Sequence, residues 1–219
     1  MGTEAVREKN SVLYEVGRYL FRFWFRTFQP VRYHGIGKLK SLEGPAVVIS
    51  NHVHALDPII IALPIRPQCV FLGKKELGKN TFIRNVLTRL HCILVDRHST
   101  DMEAMRACMK AIRMKKPLVI FPEGTRHHEG QMEQIENGTS MIVLRSGVPL
   151  IPVYLDRPLA FFRRVNAWVG DPIAYDDLKG KGVNTESCEA LNERMRETFR
   201  SMIRESGQTE NPGNAKDRD

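Results

Sequence analysis

Long apolar runs, cysteine and acidic charge are all scarce in this chain. No stretch approaches the roughly 18 uncharged apolar residues of a bilayer-spanning helix, so no crossing is expected in its 219 residues. The four cysteines, Cys69, Cys92, Cys108 and Cys188, are far apart and mostly sit in apolar runs. That spacing suits neither a disulfide framework nor a zinc site, and reads as buried free thiols in a reducing compartment. Glu4, Arg7, Glu8 and Lys9 precede any apolar stretch, and no small-residue cleavage site follows the first one. A secretory leader is therefore not expected. Internal repeats are missing too. Hydrophobic residues still make up 42% of the chain, which allows one full core and excludes disorder for most of its length.

The shortage of acids leaves 33 Lys and Arg against 25 Asp and Glu, a net charge of +8. Residues 1–40 hold 8 of those bases and 3 of the acids, so much of the excess lies at one end. A basic surface suits nucleic acid, an anionic membrane or acidic ligands. The neighbours of the charge decide among them. Between Leu13 and Phe28 come Tyr14, Tyr19, Phe21, Phe23, Trp24, Phe25 and Phe28, with Arg18, Arg22 and Arg26 four apart. On a helix those arginines form one stripe about 80° wide, and apolar or aromatic residues cover most of the remainder. Such a helix suits the headgroup region of a bilayer, lying in the interface. An anionic membrane surface is the expected partner, and nucleic acid is not. A helix packed on the core with its arginines outward is the competing reading.

From residue 45 onward short β-branched runs alternate with helical stretches. Strands are expected at 46–50, 69–72, 92–95, 118–121, 149–155 and 165–169, and helices near 58–63, 76–90, 100–115, 138–146 and 186–205. Thr100-x-x-Glu103 makes a capping box for the third helix. The alternation predicts an α/β fold, a mixed, partly parallel sheet flanked by helices, behind an interfacial aromatic helix. The segments expected are an interfacial piece over 1–35, a catalytic domain over 36–206 and a disordered tail over 207–219.

Asn51-His52-Val53-His54-Ala55-Leu56-Asp57 follows the first of these strands. A histidine held in one orientation by a carboxylate is the raw material of a general base. With 7 histidines and 9 aspartates, chance alone yields about 0.3 His-x4-Asp matches, so spacing by itself is weak evidence. Two matches occur, His52…Asp57 and His91…Asp96. The second is expected within one continuous strand, about 16 Å from end to end with the side chains on opposite faces. Only the first pair, in a loop, can meet. Asp57 before Pro58 also reads as a helix N-cap, and Asn51 as a loop-holding side chain. His52, His54 and Asp57 offer a metal set for a hydrolase, but the His-x-His-x-Asp-His pattern needs an acid at 56 and a histidine at 57, where Leu56 and Asp57 stand.

Phe121-Pro122-Glu123-Gly124-Thr125-Arg126 follows another strand. Gly124 allows close backbone approach to an anion, and Arg126 can bind phosphate with two hydrogen bonds. Glu123 would repel phosphate, so its expected role is to hold a hydroxyl or orient an arginine. Arg97 and Lys74, each just past a strand, are further phosphate candidates. A surface turn with an Arg–Glu pair and a solvated Lys74-Lys75 pair are the bland alternatives.

These motifs, with Ile93-Leu94-Val95-Asp96-Arg97 and Val148-Pro149-Leu150-Ile151-Pro152-Val153, stand in the order of four blocks over roughly residues 30–170. In this the chain resembles the PlsC-type 1-acyl-sn-glycerol-3-phosphate acyltransferases. The resemblance departs where that family often has glycine before the second apolar block, since His91 and Cys92 stand here. It implies a glycerolipid acyltransferase-like fold and a His52–Asp57 catalytic dyad. It also implies that Arg97, Glu123, Gly124, Thr125 and Arg126 bind phosphorylated glycerol, with Asn51 and Lys74 as secondary candidates. No cofactor or metal is implied; the co-substrate is an acyl-CoA or acyl carrier protein thioester, and the acceptor a lysophospholipid. The location implied is peripheral, on the cytoplasmic face of the membrane. A metal-dependent hydrolase and a non-catalytic basic membrane-binding protein remain as alternatives.

Overall fold

The structure, a computed structural model, describes residues 11–95, 102–124, 132 and 134–207. Its centre is a sheet of seven strands: β1 (Val31–His34), β2 (Val47–Ser50), β3 (Val70–Lys74), β4 (Cys92–Val95), β5 (Leu118–Ile120), β6 (Leu150–Leu155) and β7 (Val165–Val169). Their spatial order is β1-β7-β6-β2-β5-β3-β4. All neighbours run parallel except β6 and β7, so the sheet is mixed and mainly parallel, as expected. The three central strands β6, β2 and β5 are buried along their whole length. This is why they read as unbroken apolar runs rather than alternating ones.

Successive residues of each strand feed opposite faces. Val47 and Ile49 join a core closed by α5 (Met102–Arg113), α6 (Asn137–Ser146) and α7 (Thr185–Glu205). Ala46 and Val48 join the other, closed by α1 (Val12–Thr27), α2 (Gly37–Lys40) and α3 (Asp57–Ala62). Because β2, β3, β4 and β5 point the same way, the segments after Ser50, Lys74, Val95 and Ile120 leave at one edge, where α/β sheets bind ligands.

Two expected elements need correction. The helix anticipated over 76–90 is interrupted: β3 runs on to Lys74, a 3-10 turn occupies Lys75–Gly78, and α4 spans only Thr81–Arg89. Asn80 starts it by accepting from the Phe82 and Ile83 amides, a side-chain cap for two donors with no intrahelical partner. Residues 31–34, assigned to the interfacial piece, are instead an edge strand of the sheet paired with β7. The Thr100 capping box and the tail from residue 208 lie outside the described residues.

Helix α1 forms as expected, but two of its three arginines, Arg18 and Arg22, reach back to the domain, while Arg26 is exposed. Arg18 donates to the carbonyls of Ile65 (3.4 Å) and Arg66 (3.0 Å), and Arg22 to that of Leu63 (3.2 Å). These carbonyls lie just beyond α3, where a helix leaves acceptors unpaired. Tyr14 and Phe25 are buried beneath the helix. The opposite face is apolar and exposed, with Val12 at 79%, Tyr19 at 69%, Leu20 at 65% and Phe23 at 67%. Arg18 and Arg22, in the second and third turns, latch the helix to the domain, and the apolar face is the one left over. Among the described residues no helix is long and apolar enough to cross a membrane.

Candidate active site

Where β2 ends, its partner β6 still needs pairing. Asn51 supplies it, donating its side-chain amide to the Leu155 carbonyl (2.9 Å) and accepting from the Leu155 N–H (2.8 Å). The carboxamide imitates one more peptide of the ladder beyond the Ser50–Val153 pair, which frees the main chain to turn away. Asn51 is fully buried and so acts structurally. Asn51→Ala would strand both peptide groups of Leu155, and we expect it to destabilise the protein by about 2–4 kcal/mol. A fall in the denaturant midpoint at constant slope would measure this.

The chain then passes to His52 and folds back. One carboxylate oxygen, Asp57 Oδ2, lies 3.0 Å from His52 Nδ1 and accepts from the Val53 amide (2.7 Å) and the His54 amide (2.6 Å). The Asp57 side chain is 1% exposed, and its buried Oδ1 has no hydrogen-bond partner among the described residues. The N-cap reading of Asp57 is corrected here. Leu56 occupies the cap position, Asp57 is already in the first turn with Pro58 after it, and the carboxylate reaches backward over the loop. Those loop amides have no sheet partner, so they draw the carboxylate towards the strand end. The same oxygen thus folds the loop and holds the imidazole.

The His52 ring is also stacked on Phe121, with centroids 4.2 Å apart and planes at 26°. With Nδ1 taken by Asp57, Nε2 is the nitrogen left for proton transfer. His54 is tied into the loop, its Nδ1 accepting from the Leu56 amide (3.2 Å). Among the described residues no three His, Cys, Asp or Glu side chains gather as a metal set. His91 is buried and stands before β4 with φ of 57°. It is therefore not part of the strand, contrary to the sequence reading. Four strand residues still separate it from position 96, about 13 Å, and Asp96 itself is not described. The positive φ also accounts for glycine being at home at this point of the chain.

The second motif turns sharply, the Gly124 amide donating to the Phe121 carbonyl (3.0 Å) with Gly124 at φ of 68°. Glu123 is buried and accepts from the Met132 amide (3.1 Å). It therefore secures the returning chain, while its neighbours Pro122 and Gly124 line the cavity. Arg97, Thr125 and Arg126 lie outside the described residues.

His52, Lys74 and Gly124 line one mainly apolar cavity of about 1250 Å³. Three contributors to it were not anticipated. Tyr14, Gly17 and Phe21 make α1 a wall of the cavity, Arg145 of α6 adds a cation, and Phe121 supports the histidine. Spacing at 14, 17 and 21 marks one helical face, but nothing local says what that face meets. Cys92 also lines the cavity. Burial pushes its thiol up to about 12, and that of Cys69 likewise to about 12, so neither offers a thiolate near neutral pH. All four cysteines are buried, and no disulfide joins them.

A polar dyad in an apolar cleft at the carboxyl edge of the sheet can be set beside known proteins. A sequence model described as Acyltransferase matches residues 30–156, more than half of the chain. This protein belongs to the acyltransferase family. The matched region of this acyltransferase runs from β1 to the end of β6 and leaves out α1 and α7. It is 28% identical over 160 residues to the 1-acyl-sn-glycerol-3-phosphate acyltransferase of Bacillus subtilis, covering 69% of this chain and 79% of that protein. It is 30% identical over 118 residues to the one from Borreliella burgdorferi, covering 53% and 47%. Its fold matches the crystal structure of the 1-acyl-sn-glycerophosphate acyltransferase PlsC from Thermotoga maritima, with a TM-score of 0.67, 21% identity and coverage of 90% and 80%. Against relatives from Caenorhabditis elegans, Borreliella burgdorferi and Helicobacter pylori the acyltransferase spans only 61%, 47% and 54% of their length.

Proposed function

We propose that this acyltransferase moves a fatty acyl group from a thioester carrier to the free hydroxyl of 1-acyl-glycerol-3-phosphate, yielding phosphatidic acid for phospholipid synthesis. The His52–Asp57 contact of 3.0 Å, opening on an apolar cavity, carries the reading. The acceptor is supported by the relatives, among them those of Bacillus subtilis, Borreliella burgdorferi and Helicobacter pylori, which are 1-acyl-sn-glycerol-3-phosphate acyltransferases by name.

In this reaction His52 Nε2 takes the hydroxyl proton as the oxygen attacks the thioester carbonyl. The tetrahedral intermediate then expels the thiolate, which receives that proton from the imidazolium. Asp57 fixes the tautomer and stabilises the imidazolium. General-base help of this kind contributes about 10²–10⁴-fold, and positioning adds more. Arg97, Thr125 and Arg126, with the Gly124 turn and Lys74, would hold the phosphate. The apolar cavity would take the acyl chain. Since α1 walls that cavity on one side and bares an apolar face on the other, the enzyme would sit peripherally on the cytoplasmic leaflet, its substrate entering from the lipid.

Incubating purified protein with labelled acyl-CoA or acyl carrier protein and a panel of lysophospholipids tests the assignment. Lysophosphatidate should be diacylated and a phosphate-free monoacylglycerol should not. Arg126→Ala should raise KM for lysophosphatidate about 10–100-fold, the effect of losing a charge-assisted contact, with kcat little changed. Equal use of the two acceptors by the parent would show that phosphate is not what these arginines bind.

A further inference from the structure

A short turn between β6 and β7, leaving the sheet at the same edge as the catalytic loop, remains unexplained by the chemistry. Ala160 and Arg163 form an isolated antiparallel bridge, and the Arg163 amide donates to the Ala160 carbonyl (3.2 Å). Phe161 and Phe162 therefore fill the two central positions of a tight turn. Such positions ordinarily hold Gly, Asn or Asp, which tolerate left-handed backbone and water. Phe162 has φ of 58°, a conformation bulky side chains rarely adopt. The two rings are 62% and 77% exposed. The turn thus accepts backbone strain to present two aromatic rings that the protein itself does not cover. Strain of that kind usually marks a functional segment.

The setting points to an occupant. The Phe162 amide donates to the Phe28 carbonyl at the end of α1 (3.0 Å), and the Phe161 ring meets Trp24 edge-on at 6.1 Å. The aromatic tip is thereby continuous with the exposed apolar face of α1. Arg163 and Arg164 follow it and are exposed, whereas Arg157 is paired with Asp156 at 3.2 Å. Apolar rings beside cations complement a bilayer with anionic headgroups.

We propose that the Phe161–Phe162 turn is a second membrane anchor, inserted into an anionic leaflet beside α1. This rests on the interfacial reading of α1 given above. Two points of attachment fix the tilt of the domain, which one helix lying in the interface does not, and so hold the cavity wall formed by α1 against the lipid.

The test compares the parent with Phe161→Ser/Phe162→Asn in co-sedimentation with phosphatidylglycerol vesicles. Asparagine accepts the left-handed backbone, so the double variant should melt at the same temperature as the parent or higher. Its turnover on a detergent-dispersed acceptor should be unchanged. The lipid concentration for half-binding should rise at least about tenfold, in line with the burial of large apolar side chains. Arg163→Glu/Arg164→Glu should weaken binding to phosphatidylglycerol vesicles while leaving the weaker binding to phosphatidylcholine alone. A parent that does not sediment overturns the interfacial reading and this anchor with it. A parent that sediments alongside an equally bound double variant overturns the anchor only. So does a parent dimer that the double substitution splits without altering vesicle binding, which would make a second copy the occupant.

Discussion

His52→Ala is expected to lower kcat at least about 10²-fold while the protein stays folded. The ring is 16% exposed and its hydrogen bond runs to Asp57 Oδ2, which keeps its two backbone donors after the change. Neither the loop nor the sheet depends on the imidazole. KM for the acceptor should move little, because the base touches the hydroxyl and not the phosphate. Thiol release under saturating substrate gives kcat, and circular dichroism checks the fold. Incubation with EDTA should leave turnover unaltered. Inhibition relieved by zinc would favour the hydrolase reading built on His52, His54 and Asp57, and near-normal turnover of the alanine variant would sink the mechanism.

Asp57 should separate into two roles under substitution. Asp57→Asn retains an oxygen that can accept from the Val53 and His54 amides, so the loop and the melting temperature should survive. It loses the negative charge that orients and stabilises the imidazolium, and kcat should fall by about 10²–10⁴-fold, the range of general-base help, whose upper end is the effect of the equivalent change in a Ser-His-Asp triad. Asp57→Ala removes the acceptor as well and leaves two buried amides unpaired, costing about 2–4 kcal/mol. The informative result is the contrast. An asparagine variant that is inactive yet as stable as the parent assigns the charge to chemistry; one that is active, or that unfolds like the alanine variant, makes Asp57 a loop fastener only.

The dyad could be read from sequence because local physics separates the two His-x4-Asp pairs: one follows a strand into a loop closed by Asp57-Pro58, whereas the four residues of β4 intervene in the other. The direction of the Asp57 bonds could not be read, since it depends on which amides the fold leaves unpaired. Strand β1 escaped notice because Val31–His34 is short, carries Arg32 and is stabilised by β7, more than 130 residues away. The break before α4 was written in Gly78-Lys79-Asn80, and apolar periodicity hid it. For α1 the sequence supplied the stripe but not its direction, because the carbonyls of Leu63, Ile65 and Arg66 that attract the arginines are brought there by α3.

The stacking of Phe121 on His52 has a consequence for how this enzyme can vary. Phe121 opens the turn that ends in Gly124, so the wall behind the imidazole and the start of the proposed acceptor seat are the same few residues. A change that reshapes the seat also shifts the base. Substitutions at 121 and 52 should therefore combine non-additively in a double-mutant cycle, whereas a distant site such as Asn184 should add simply. On the proposed reading of this turn as the acceptor seat, acceptor preference is coupled to turnover: a new headgroup would not be accommodated through the turn without retuning the proton transfer as well.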